Sequence, residues 1–186
     1  MSARIALFRA VNVGGGNRVA MTALKALFDD LGLGPATTLQ AAGSVVFHGE
    51  GEAGDLETRL EAEAAARLGL ASAVFVRGAE EWSQIIAANP FDEVARDAPS
   101  RLMVTPLKAA ADPAGPAALE AAGRDGERVA AVGRCAYLYY PGGAGTSKLT
   151  PRLIEQKLGS PGTARNWNTT LKLMQMLETQ ARLSRR

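Results

Sequence analysis

"RIALFRAVNVGGGNRVAMTALKALFDDLG", residues 4–32, sets the architecture of the first half of the chain. Its opening apolar run is broken by Arg9 and Asn12 and ends at three glycines, as a buried strand entering a turn does. Met21, Leu24, Leu27, Phe28 and Leu31 then fall on one stripe of a 3.6-residue repeat, so a strand, a loop and an amphipathic helix follow one another. Gly32, Gly34 and Pro35 end that helix.

Working outward, "TTLQAA" (37–42) and "SVVFHG" (44–49) read as two short strands joined tightly through Gly43 and Ser44. Asp55 is placed to cap a second helix carrying Leu56, Leu60, Ala64 and Leu68, with Glu57 and Glu61 toward its positive N-terminal end. "ASAVFVRG" (71–78) returns as a strand. The order βαββαβ is that of the ferredoxin-like plait, so residues 1–78 read as one plait subdomain. Its first and third strands are expected to lie adjacent and parallel, with the loops leaving them on one edge of the sheet.

Beyond residue 78, "AEEWSQIIAA" presents Trp82, Ile85 and Ile86 to a core and stops at Asn89-Pro90, since proline disfavours α conformation in the residue before it. "NPFDEVARDAPS" (89–100) is polar and reads as a boundary loop. A strand ("RLMVTPL"), an Ala-rich helix over 113–122, two strands ("ERVAAV", "AYLYY"), a helix at "PRLIEQKL" and a last helix over 166–183 follow. Residues 79–186 therefore read as a second plait-like subdomain, incomplete, with an extra C-terminal helix. The fold class is α+β.

Composition bounds the chemistry. Among 186 residues, 47% are apolar and 22% charged, the balance of an ordinary globular chain. No long apolar run or signal-like segment appears, so a cytoplasmic protein without membrane contact is expected. Cys135 and His48 are each the only residue of their kind, which excludes an internal disulfide and any Cys/His zinc site; no metal and no cofactor are expected. Residues 150–186 carry seven Lys or Arg against two Glu, a local charge of +5 that leaves −3 for the rest.

The stretches "LFRAVNVGGGNRVAMTALKALFDDLG", "GSVVF", "NPF", "LYYPGGAGTSKL" and "TARNWNTTLKL" recur in order and spacing in a bacterial family known only as domain of unknown function 1697, which this chain resembles over nearly its whole length. The most specific motifs are R-x-x-N-V-G-G, here Arg9 to Gly15, and T-x-R-N-W-N-T, here Thr163 to Thr169. The resemblance implies two plait-like subdomains and supplies no agreed reaction. This chain departs from its relatives at Ala41-Ala42-Gly43-Ser44, where Q-S-G-N is common.

Two glycine-rich loops are candidate anion sites. From Gly14 the spacing lacks the third glycine of a dinucleotide fingerprint, and "GGAGTSK" places Lys148 after the hydroxyls rather than before them, so it is no Walker loop. What remains is physical: glycines aim backbone N–H groups inward, and a helix start downstream adds positive charge. The candidate ligands are Arg9, Asn12, Gly14, Gly15 and Arg18 in the first loop. Gly142, Gly143, Thr146, Ser147 and Lys148 form the second, with Arg165 as a further phosphate partner. A plain structural turn, with Asn12 bonding its own loop and Ser147 or Thr150 capping a helix, stands beside that reading.

Other constellations are thinner. Trp167 reads as an anchor for the last helix, whose Leu171, Met174 and Leu177 form an apolar stripe, or as a base-stacking surface. Tyr137 and Tyr139 alternate onto one strand face, but no RNA-recognition signature accompanies them, and nucleic acid is disfavoured as a partner. Asp92, Glu93 and Asp97 could hold Mg²⁺ or be solvated loop charges. The leading expectation is a binding module for a phosphate-bearing small molecule or nucleotide, followed by a phosphoryl- or nucleotide-processing enzyme on the same loops and by a protein-interaction or oligomerisation module. Neither a reaction nor an oligomeric state is legible.

Overall fold

The computed structural model describes residues 1–183. Among these the chain is mixed α+β, with two four-stranded antiparallel sheets and seven α-helices. It divides into two compact units, Met1–Ser83 with Lys172–Arg186, and Gln84–Leu171. The expected cut after residue 78 falls near the first crossing; the second, at 171/172, has no counterpart in the sequence reading.

In the first unit, strand β1 (Ser2–Phe8) leads through a long loop to α1 (Met21–Asp30), then β2 (Thr37–Leu39), β3 (Ser44–Gly49), α2 (Ala53–Leu68), β4 (Val74–Gly78) and the start of α3 (Ala79–Ala87). The sheet order is β2-β3-β1-β4. Ala6, Phe8, Val45, Phe47, Val74 and Val76 form one face and pack with Leu24, Leu27 and Phe28 of α1 and Leu56, Leu60 and Ala64 of α2. Phe28 sits between Phe8 and Phe47, with ring centroids 6.2 and 5.0 Å away.

β1 and β3 are adjacent but antiparallel, with Ala6 opposite Val45. The parallel expectation is therefore wrong, and the reason is topological. The crossover helix returns β2 parallel to β1, and the hairpin then reverses β3. Loops leaving the first and third strands consequently open at opposite ends of such a sheet.

The edge strand β4 is blocked from α2: Glu61 Oε1 accepts from Val74 N and Glu57 Oε1 from Val76 N, both at 2.8 Å. An i,i+4 pair of glutamates thus occupies outward N–H groups that would otherwise template another strand. Glu57 also meets the fully buried Arg77 at 3.4 Å, and Glu81 lies 3.1 Å from Arg77 Nε. Asp55 does not cap α2; the helix begins at Ala53 and Asp55 falls in its first turn.

The second unit holds the rest of α3, α4 (Asp92–Asp97), a 3₁₀ turn (Pro99–Arg101), β5 (Leu102–Pro106), α5 (Gly115–Ala122), β6 (Arg128–Val132), β7 (Cys135–Tyr139), α6 (Pro151–Leu158), β8 (Arg165–Asn166) and the first turn of α7 (Trp167–Leu183). The polar boundary stretch is thus helical at α4. The sheet order β6-β7-β5-β8 repeats that of the first, with β7 antiparallel to β5. The expected incompleteness is corrected by β8, whose two residues pair with Met103 and Val104; a strand so short leaves no alternation to read. Glu120 of α5 accepts from Val129 N on the edge strand β6, the same blocking device.

Candidate functional site

The first glycine loop is a closed turn. Ala10, Asn12, Gly14, Gly15 and Asn17 take positive φ, while Gly16 does not. Asn12 ties the loop together: its Nδ2 donates to Val19 O and Ala41 O, its Oδ1 accepts from Val19 N, and its backbone N–H donates to Asn17 O. Asn17 Nδ2 donates to Ala71 O at 3.3 Å, and Ser72 Oγ donates to Arg9 O at 2.8 Å. Arg9 is half-buried, Arg18 exposed, and helix α1 starts after Ala20 with no side-chain cap.

The second loop is organised by an acid. Ser147 Oγ donates to Glu127 Oε1 at 2.5 Å and accepts from Leu149 N, and Asp125 N donates to Glu127 Oε2. The Ser147 hydroxyl, seconded by the Asp125 N–H, holds the Glu127 carboxyl below the usual carboxylate range. Thr146 Oγ1 lies 3.4 Å from both Gly142 O and Gly143 O, and Thr150 caps α6 by accepting from Leu153 N. Gly143 has positive φ, and Lys148 is exposed. Arg165 is buried in β8, donating to Thr163 Oγ1 and Ala164 O; burial lowers its pKa to about 10.

The aromatic and acidic candidates are committed internally. Tyr137 is fully buried and donates to Ile85 O at 2.6 Å, burial raising its pKa; burial likewise pushes Tyr140 up to about 12. Trp167 is 8% exposed, and Asn166 Oδ1 accepts from Thr169 N as the cap of α7. Glu93 pairs with Arg128 at 2.7 Å and Asp97 with Arg96 at 2.8 Å. Among the described residues no group of three or more His, Cys, Asp or Glu is arranged to hold a metal ion.

One concavity was not anticipated. Because Val45 and Phe47 face the α1/α2 core, alternation turns Val46 and His48 to the other face of the first sheet. Thr37 stands opposite Val46, and Leu39 opposite Ser44. There α7 lies over the β2–β3 edge: Gln180 Nε2 reaches Thr37 Oγ1 (3.2 Å), Pro35 O (3.4 Å) and Val46 O (3.5 Å). A cleft of about 970 Å³ opens beside this contact. Met1, Gly34, Pro35, Thr37, Leu39 and His48 line one side, and Lys172, Gln175, Met176, Thr179, Gln180 and Leu183 the other.

Those six helix residues follow the i, i+3, i+4 rule over three turns, one continuous stripe of α7. The neighbouring stripe, Thr170, Leu173 and Leu177, is fully buried. The expected apolar stripe differs at its first member, since Leu171 is exposed and Leu173, two residues on, is buried instead. One helix therefore has two functions in two adjacent stripes, and the polar-looking one faces the cleft. A signal existed in the recurrence of Lys172, Met176 and Gln180 every four residues, but nothing local connects it to residues 34–48.

The model of a family described as "Protein of unknown function (DUF1697)" matches residues 1–137. Among solved structures, the conserved bacterial protein SP0830 from Streptococcus pneumoniae is similar, with a TM-score of 0.67 and 19% identity over 95% of this chain and 98% of that one, a likeness of fold alone. No curated protein matches the chain. Among the described residues no helix is long and apolar enough to cross a membrane.

Proposed function

We propose, for a chain that belongs to the DUF1697 family, a small-molecule binding function seated in the cleft between α7 and the β2–β3 edge. The observation that carries this reading is one stripe of α7 facing one face of the first sheet around about 970 Å³ of space. Ligand pockets are of that size, mostly apolar, with a few polar groups that fix orientation. Leu39, Met176, Leu183 and Pro35 supply the apolar surface, and Lys172, Gln175 and His48 the polar groups. Each half is read as a ferredoxin-like plait, on the strand order and the βαββαβ succession that both sheets share.

A second reading, a phosphate-bearing small molecule at residues 9–18, is favoured by one feature. Left-handed residues at 10, 12, 14, 15 and 17 are interspersed with others, and mixing the two hands of backbone can turn successive N–H groups into an anion-binding concavity.

A thermal-shift screen of metabolites distinguishes the two. A ligand at a hundred times its Kd stabilises by about 2.7 kcal/mol, or roughly 5–10 °C for a chain of this length. A cleft ligand stabilises the parent, Arg18→Ala and Lys148→Ala equally and loses its effect on Met176→Trp, which fills the cleft. A ligand that still stabilises Met176→Trp but not Arg18→Ala refutes the cleft reading.

A further inference from the structure

We infer that the cleft takes an elongated amphiphile with a single anionic head, its acid group beside Lys172 and Gln175 and its tail running toward Leu183; this rests on the small-molecule reading above. The polarity of the cleft is graded along α7. Lys172 and Gln175, one turn apart at i and i+3, stand at one end of the stripe, and Leu183 stands at the other. Eleven residues of helix separate Lys172 from Leu183, about 16 Å along the axis.

The polar side chains between these ends are turned to the protein. Thr179 Oγ1 donates to Gln175 O at 2.8 Å, and the Gln180 amide donates toward Pro35, Thr37 and Val46. The middle of the cleft therefore offers Met176, Leu39 and Pro35 to a ligand rather than free donors.

Charge points the same way. No carboxylate is among the lining residues. The terminal amine of Met1, whose residue also lines the cleft, is engaged by Glu50 at 2.7 Å. Lys172 is the one Lys or Arg among the described lining residues, where His48 is the other basic side chain, and it has no acidic partner among the described residues. A lone ammonium beside a side-chain amide complements one carboxylate or one similar monoanion. A multiply charged head such as a nucleoside triphosphate would leave most of its charge unmatched.

Calorimetric titration of the full chain with dodecanoate and dodecanol, both below their aggregation limits and at two salt concentrations, tests this. Dodecanoate is expected to bind the parent about fivefold more tightly than dodecanol, the most that an exposed ion pair supplies, with the advantage fading at high salt. Lys172→Met is expected to bring dodecanoate down to the dodecanol affinity. Leu183→Asp, at an exposed position that does not endanger folding, is expected to weaken both ligands. Equal affinity of the parent for acid and alcohol overturns the anionic head while the cleft reading stands. Failure of both amphiphiles, with another compound still blocked by Met176→Trp, overturns the amphiphile and again spares the cleft. Binding of dodecanoate untouched by Leu183→Asp and Met176→Trp places it elsewhere on the surface and overturns both.

Discussion

Replacing Gly43 by alanine is expected to destabilise the chain more than any alanine substitution in the glycine run at 14–16. Gly43 takes φ +70°, and a Cβ built there would lie 2.9 Å from Phe8 Cβ and 3.0 Å from Val11 Cβ. Neither neighbour can withdraw, since Phe8 and Val11 are buried in the α1/α2 core. The peptide is also held, because Phe8 N donates to Gly43 O at 2.8 Å. A left-handed alanine costs about 1–2 kcal/mol and overpacking a further 1–3, so Gly43→Ala loses about 2–5 kcal/mol. Gly14 and Gly15 have φ of +64° and +83° but nothing within 4 Å, so Gly14→Ala and Gly15→Ala lose only about 1–2 kcal/mol. Gly16, outside the left-handed region and in open space, loses nothing, and the stiffer unfolded chain can return about 0.4–1 kcal/mol. Urea unfolding of the four variants measures the order: with a slope of about 2 kcal/mol/M, the Gly43→Ala midpoint falls by roughly 1–2.5 M. A Gly43→Ala midpoint no lower than that of Gly15→Ala refutes the close-approach argument. A Gly16→Ala loss equal to that of Gly15→Ala refutes the conformational one.

Trp167→Ala is expected to cost about 3–5 kcal/mol, the range for removing a buried large aromatic, and an unchanged thermal melt would restore the exposed-platform reading. Arg77→Ala leaves the buried Glu57 carboxylate without its ion-pair partner and should cost about 3–5 kcal/mol; the double variant Arg77→Met/Glu57→Met, which removes both charges but also the acceptor of Val76 N, should recover part of it. Glu127 is held below the ordinary carboxylate range in the fold, so its contribution is complete above that range and is lost as pH falls through the lowered value. Glu127→Gln should accordingly flatten the acid side of the stability–pH curve, and chemical denaturation between pH 2 and pH 6 reads the difference.

What the sequence disclosed and what it withheld differ by range. The stripe of Leu24, Leu27 and Phe28, the hairpin at Gly43 and the capping Thr150 are written in neighbouring residues, and periodicity recovers them. Glu57 and Glu61 were visible as favourable charges near a helix start, but their bonds to Val74 and Val76 depend on where α2 lies over β4, which no local pattern encodes. β8 escaped because two residues make no period. The cleft escaped for a stronger reason: Gln180 meets Pro35 and Thr37 across more than a hundred residues, and its floor looks from sequence like one side of an ordinary short strand. Glycines attracted the functional reading because their chemistry is local. Asn12 ties the first of those loops to Val19 and Ala41, and Glu127 accepts from Ser147 in the second, bonds that run beyond the loops themselves.

The first unit takes its last helix from beyond residue 171, and this sets an order on the ribosome. Residues 1–83 emerge with β1 to β4, the glutamate-blocked β4 among them, but the side chains that cover the β2–β3 edge are made only after the whole of Gln84–Leu171 has been polymerised. At about 5–20 residues per second that interval is roughly 4–18 s. Throughout it the nascent sheet shows Val46 and its neighbours to solvent or to a chaperone, while the second unit completes its own sheet first. Synthesis speed across residues 84–171 therefore governs how long an unfinished domain waits, and slowing translation there should raise aggregation of the newborn chain without altering the finished protein.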